Sequence, residues 1–278
     1  MSEIDQFIEY NKGKSLKTIS TYERLYKKLS NILNSDVSHV SQDKIIKLIN
    51  DNIDNINTIQ SLLNIAILVR KMKELNTDIL YKEKKNNIEK VNKHTKEINQ
   101  EKKDELPSLK DLYEYTDFLY ENKLWSDYII NYLLLNYYVR NEDINFLIKL
   151  KKKDTIDKNY NYMWYDKRNK KVLYIRNNYK TSYAHGTKQH TIVDSKFVNA
   201  IKNLINERKN KDEKEKFIMN EDGIGYYIMK ATYKGIGEGN YLKIIIFDNI
   251  KNENPHILKE ISESRGTNVD TLITNYTL

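Results

Sequence analysis

The chain has 278 residues, a formal net charge of +8 and a sequence pI near 9.1, enough length for one large or two smaller cores and a balance that favours a polyanionic partner, nucleic acid first. It lacks cysteine, which excludes disulfides, thiol nucleophiles and Cys-ligated zinc, and its five histidines never fall at metal-ligand spacing, so no metal and no other cofactor is expected. No run of eighteen apolar residues and no signal-like N-terminus occurs; the expectation is an intracellular protein with no membrane association.

Composition is skewed toward Asn, Lys, Ile and Tyr, residues with AT-rich codons, and only seven of the 47 basic residues are arginine. The 22 tyrosines therefore say little about stacking on bases, whereas each arginine becomes informative.

From the N-terminus the periodicity is helical. Ser15 to Leu33 carries Ile19, Tyr22, Leu25 and Leu29 at three- and four-residue steps, with Thr18 or Ser20 as the expected cap. Ile45, Ile46 and Leu48 mark a short helix opened by Ser41. Ile59, Leu62, Leu63, Ala66 and Ile67 form the face of a longer one ending in Arg70-Lys71-Met72-Lys73. The charged stretch Lys96 to Leu106 followed by Pro107 reads as a linker. The lysine-rich run Lys82 to Lys103, interspersed with glutamates, reads as a solvated helix. Residues 1–104 thus form a helical domain, and 108–278 a second one.

In the second domain Leu109 to Glu121 and Trp125 to Val139 read as helices, the latter too apolar for a surface. Three strand-like runs follow: Tyr160 to Tyr165, Val172 to Arg176 and His190 to Val193, with Asp166 to Lys170 as a hairpin turn. Helices are expected again at Ser195 to Glu207, Gly225 to Tyr233, Asn240 to Asn249, and from Ile257 to the end. Gly235-Ile236-Gly237-Glu238-Gly239 lacks the ending of a nucleotide loop and reads as a helix-terminating turn. The fold class is mainly α with a small three-stranded antiparallel sheet.

Two positions stand out. Arg140 closes the apolar helix, with Asp143 three positions beyond. Tyr276 lies nine residues past Thr267, near the end of the sequence. With INYLLLNYYVRNEDI and ISESRGTNVDTLITNY around them, residues 109–276 resemble the catalytic domain of the tyrosine recombinase and integrase family, and are similar to divergent members from large DNA viruses and their mobile elements. The first hundred residues, with SLKTISTYERLYKKL, resemble that family's SAM-like core-binding domain.

The resemblance implies DNA breakage and rejoining through a 3′-phosphotyrosyl intermediate, without metal. Tyr276 would be the nucleophile, Arg140 a grip on the non-bridging oxygens, and Lys180, or Lys188 on the neighbouring loop, the proton donor to the leaving 5′ oxygen. Lys243 stands where the family has its second arginine, Asn240 where it has a histidine, and Thr267 where it has another. A lysine keeps the charge but loses the bidentate fork, and Asn and Thr shuttle no protons near neutral pH. Arg265, two residues before Thr267, is a candidate to make good the missing arginine.

Candidate DNA contacts are Lys14, Lys17, Arg70 and Lys71 in the first domain, with Lys12 beside them, and Arg176, Lys188 and Arg265 in the second. The expected partner is double-stranded DNA, with a homo-oligomer on DNA as a candidate assembly. For a viral protein the compartment would be the host nucleus or a cytoplasmic viral factory. The alternative from another class is a non-catalytic DNA-binding or DNA-organising protein that retains the fold after losing its active site.

Overall fold

A computed structural model describes residues 1–102, 105–209, 215–218, 223–254 and 256–276. Lys103, the boundary at residue 104 and the C-terminal Leu278 lie outside them. The chain divides into two compact units, Met1–Ile98 and Asn99–Leu278.

In the first unit, α1 (Glu3–Tyr10), α2 (Leu16–Leu33), α3 (Gln42–Asn52) and α4 (Ile56–Met72) pack around Phe7, Leu29, Val37, Ile45, Ile49, Leu62 and Ala66. Local sequence sets the helix ends. Ser2 and Asp5 form a reciprocal capping box on α1, and Asn55 Oδ1 accepts the Thr58 amide of α4 at 2.9 Å. Ser15, not Thr18 or Ser20, caps α2 by accepting from the Thr18 amide at 3.2 Å. Asn34 ends that helix in the left-handed region, at φ 49°.

Helix α5 (Asp78–Lys102) runs through most of the stretch expected as a linker. Its Lys-Glu mixture makes i,i+4 pairs such as Lys93–Glu97, which favour helix over an extended connection.

In the second unit, α6 (Leu109–Glu121) opens with a Ser108–Asp111 capping box. Helix α7 (Trp125–Tyr137) is buried on nearly every side, as its composition requires. It stops two residues short of the expected Val139 because Tyr138 turns left-handed, at φ 52°.

The sheet has four strands in the order β1 (Phe146–Lys149), β2 (Asn161–Asp166), β3 (Lys171–Arg176), β4 (Lys188–Ile192). The pairs β2–β3 and β3–β4 are antiparallel, whereas β1 lies parallel to β2, so the sheet is mixed, with one strand more than expected. The outer edge of β1 is covered in turn: the Ile148 amide donates to the Glu215 carbonyl (2.7 Å) and the Phe217 amide to the Phe146 carbonyl (3.0 Å).

Register sorts side chains by face. Phe146, Ile148, Met163, Tyr165, Val172, Tyr174 and Ile192 point into the core against α7 and α9 (Ser195–Arg208). Arg176, Lys188 and His190 share that inward register. A single-turn helix α8 (Ser182–His185) sits in the β3–β4 connection.

Helices α10 (Ile224–Ala231), α11 (Glu238–Lys251), α12 (His256–Arg265) and α13 (Val269–Tyr276) complete the unit. The glycine-rich segment is the α10–α11 connection, with Gly235 at φ 69° and Gly237 as the N-cap of α11. The single C-terminal helix expected from Ile257 is two helices, broken at Gly266. That residue has φ +58°, and a Cβ on it would collide with Thr181 Oγ1 and lie 2.8 Å from His185 Cδ2. Both the backbone conformation and the close approach of the β3–β4 connection demand glycine there.

Candidate functional site

The interior end of β3 delivers a charge to a place where charges are rare. Arg176 and Asp143 are both fully buried and paired, with Nη1 to Oδ2 at 3.1 Å. The second terminal nitrogen of Arg176 donates to Ser264 Oγ (3.1 Å) on α12 and to His190 Nε2 (3.0 Å) on β4. Arginine has no acceptor, so His190 must receive through an unprotonated Nε2. Burial, then the charges of Arg176 and Lys188, push the His190 pKa down to about 4, which agrees with a neutral ring. Tyr174 Oη donates to the Asp143 carbonyl at 2.7 Å. Among the described residues, two atoms of this set, Arg176 Nε and Asp143 Oδ1, have no hydrogen-bond partner.

Around this pair three further cations gather. Arg140 leads into the short 3₁₀ turn Asn141–Ile144, held there by its amide, which donates to Asp143 Oδ2 at 3.1 Å. Its Nη1 donates to the Arg265 carbonyl at 2.7 Å, and the Thr181 hydroxyl donates to the same oxygen at 3.3 Å. Lys188 donates to the carbonyls of Glu263 and Ser264, the latter at 3.1 Å, and lies 5.2 Å from the centre of the Tyr179 ring. The C-terminus of α12, the negative end of its dipole, is therefore gripped by two cations and a hydroxyl. The guanidinium of Arg265 is itself buried and paired with Glu238 at the start of α11. The other oxygen of Glu238 accepts from the Asn141 amide at 2.9 Å.

The cations feel one another. Burial, then the charge of Arg265, lowers the Arg140 pKa, opposed by Asp143, Glu238 and Tyr276. Burial, then Arg176, lowers that of Lys188. The Tyr276 phenol is half-buried on α13 against the core, and it is the last and smallest of the charges that act on Arg140. Residues far apart in sequence share one electrostatic site.

The remaining sequence candidates distribute as follows. Lys180 is exposed on the turn before α8, and it is Lys188, the first residue of β4, that turns into the cluster. Asn240 and Lys243 are half-buried on α11, where the residue that enters the cluster is Glu238. Thr267 follows Gly266, its amide donating to the Ser262 carbonyl at 3.1 Å.

Three of the expected DNA contacts have no access to a phosphate. Arg176 is fully buried. Arg70, 9 % exposed, donates from Nε to the Asn76 carbonyl (2.8 Å) and from Nη1 to the Val40 carbonyl (2.9 Å), tying the end of α4 to the segment after it and to the segment leading into α3. Arg265 is 4 % exposed and committed to Glu238. Lys14, Lys17 and Lys71 are exposed, Lys71 over the Tyr81 ring at 5.1 Å. Lys12 pairs with Glu9 at 2.5 Å.

Glu238, His190, Ser264 and Thr181 belong to the cluster, and sequence reasoning does not single them out. His190 is readable in part: it stands two positions from the end of a strand whose alternation puts it on the same face as Ile192. Among the described residues, no group of three or more His, Cys, Asp or Glu is arranged to hold a metal ion.

No protein-family model matches the chain. No curated protein matches it either. Among solved structures it is similar to one described as the crystal structure of XerA recombinase, with 14 % identity and a TM-score of 0.38 over 99 % of this chain and 93 % of that one. A likeness at that level fixes neither family nor activity, which are argued from the site.

Proposed function

We propose that this chain binds duplex DNA and acts on it in the manner of a tyrosine recombinase. The reading makes Tyr276 the nucleophile: its oxygen attacks the scissile phosphorus, and the 5′ oxygen leaves with a proton as a 3′-phosphotyrosyl bond forms. What supports it is that the Tyr276 phenol, half-buried against the core of the same unit, is among the charges that act on Arg140. Among the described residues only the Arg265 carbonyl accepts from the Arg140 guanidinium, which leaves its other N–H groups to grip a phosphate oxygen. Lys188, whose pKa burial lowers toward that of a competent acid, is the better-sited proton donor than Lys180. Residues 1–98, with exposed Lys14, Lys17 and Lys71, supply phosphate contacts from the helical unit.

A second reading, a non-catalytic DNA-binding protein, is favoured by a different observation. Arg176, Lys188 and Arg265 all direct donors at protein acceptors, and the positions of Asn240, Lys243 and Thr267 carry no arginine or histidine.

A nicked suicide duplex separates the two. Cleavage should trap a covalent protein–DNA complex that Tyr276→Phe abolishes and Arg140→Ala slows by about a hundred- to a thousandfold. Duplex binding with no trapped complex on any substrate would select the second reading.

A further inference from the structure

The topology gathers a second set of cations at the other end of the sheet. Strand β1 is parallel to β2, so its last residue, Lys149, lies beside Trp164, two residues before the β2–β3 turn. Lys151, Lys152 and Lys153 leave β1 there, and Lys167, Arg168 and Lys170 form the turn; all six are exposed. Lys152 sits 5.8 Å from the centre of the Trp164 ring, which ties the two segments together although they are distant in sequence. Lys171 opens β3 alongside them.

The carboxylates within residues 149–154 and 166–171, together with Glu215 on Lys149, are three, and two of them are already committed. Glu215 pairs with Lys149 at 2.5 Å, and Asp166 accepts from the Asn169 side chain at 2.7 Å and its amide at 3.2 Å. Within these described segments Asp154 is the acid left beside the six exposed cations.

We infer that this end of the sheet is a binding surface for the phosphate backbone of duplex DNA, separate from the cluster around Arg140. Strand β3 is six residues long, so the surface lies about 17 Å from Arg176 at roughly 3.3 Å per residue. Three strands at roughly 4.8 Å spacing make it about 10 Å wide, and each strand of duplex DNA presents one charge per ~3.4 Å, so about three phosphates of the facing strand pass within its width. Exposed lysines on turns hold no base-reading geometry; the contacts are to backbone and independent of sequence. An anionic membrane fits less well. Leu150 and, further along the same segment, Ile156 are exposed apolar residues, but interfacial binding needs a contiguous apolar face. The inference does not depend on Tyr276 being a nucleophile.

The test compares three full-length proteins on a random-sequence duplex across a salt series. One is the wild type. One carries Lys151→Gln, Lys152→Gln, Lys167→Gln and Arg168→Gln. The third is a charge-matched control with Lys110→Gln, Lys202→Gln, Lys251→Gln and Lys259→Gln, all exposed elsewhere in the unit. The sheet-end variant should flatten the plot of log affinity against log salt by about 0.9 for each phosphate it no longer neutralises, while the control stays near wild type. Trp164 fluorescence, followed in a Trp125→Phe background, should respond to duplex. Equal slopes for the two variants would overturn the inference, as would wild-type binding to phosphatidylserine vesicles in preference to duplex. Equal slopes with Tyr276 trapping intact would remove this surface alone; distinct slopes without trapping would remove the recombinase reading alone.

Discussion

Both units bury ionised side chains, and they handle them differently. In the first, Glu3 is 5 % exposed, and its carboxylate accepts from the Tyr26 hydroxyl (2.7 Å) and the amides of Val37 (2.8 Å) and Ser38 (3.2 Å). Arg70 donates only to backbone carbonyls. Each ion is solvated by neutral dipoles and serves to join segments. In the second unit Arg140, Arg176, Lys188 and Arg265 crowd around Asp143 and Glu238, with Arg176 Nε and Asp143 Oδ1 unpartnered among the described residues. Architecture explains the first pattern. The second holds more positive charge than its own carboxylates neutralise, in a place where water screens weakly, which is the property an anion site requires.

The contrast breaks most visibly at Asp143. Asp143→Ala leaves the Arg176 guanidinium buried without its counter-ion and should cost about 3–5 kcal/mol in urea unfolding of the second unit. Replacing both partners, Arg176→Met with Asp143→Leu, should recover most of that loss. If the cluster serves only stability, the double variant will also retain duplex trapping; if it orients Arg140, trapping stays lost in a folded protein.

Acid sharpens the comparison next. His190 has its folded-state pKa lowered from 6.5 to about 4, so it binds fewer protons folded than unfolded. Its contribution is present in full above pH 6.5 and drains away as pH falls toward about 4, by at most about 3 kcal/mol at 1.36 kcal/mol per unit. A His190→Gln variant should show a flatter stability profile in that window, and an unchanged profile would mean that His190 is not held neutral.

The smallest of the three effects belongs to the first unit. Glu3→Gln removes a charge whose pKa its hydrogen bonds hold below the usual carboxylate value, in spite of burial, and leaves an amide facing two backbone donors. The expected cost is about 1–3 kcal/mol, with no change in trapping. Any loss of trapping would show that the two units do not divide the work as described.

How much of this is legible in the sequence follows from what each signal depends on. Helix ends set by neighbours in sequence are readable: α6 runs from Leu109 to Glu121, as its apolar spacing and Ser108-x-x-Asp111 indicate. Strand β1 escapes notice because Phe146-Leu147-Ile148-Lys149 is only four residues long, and its partners come from β2 and from residues 215–218. Arg70 and Arg176 pass for surface cations when charge is weighed without register. Arg176 extends the inward alternation of Val172 and Tyr174, and Arg70 follows the buried Val69 on α4. The expectation that Arg140 and Tyr276 work together comes from the motif contexts and stands as a proposal, whereas Glu238 as the anion against Arg265 is a product of tertiary folding that no local pattern announces.

The corner at Gly266 has a mechanical consequence. The carbonyl that Arg140 holds belongs to the residue just before that corner, and the helix bearing the phenol begins just after it. A pull that swings the phenol outward is transmitted through the corner to the guanidinium's own anchor. On the proposed reading of Tyr276 and Arg140, nucleophile and oxygen grip then move as a single lever, engaged together or released together.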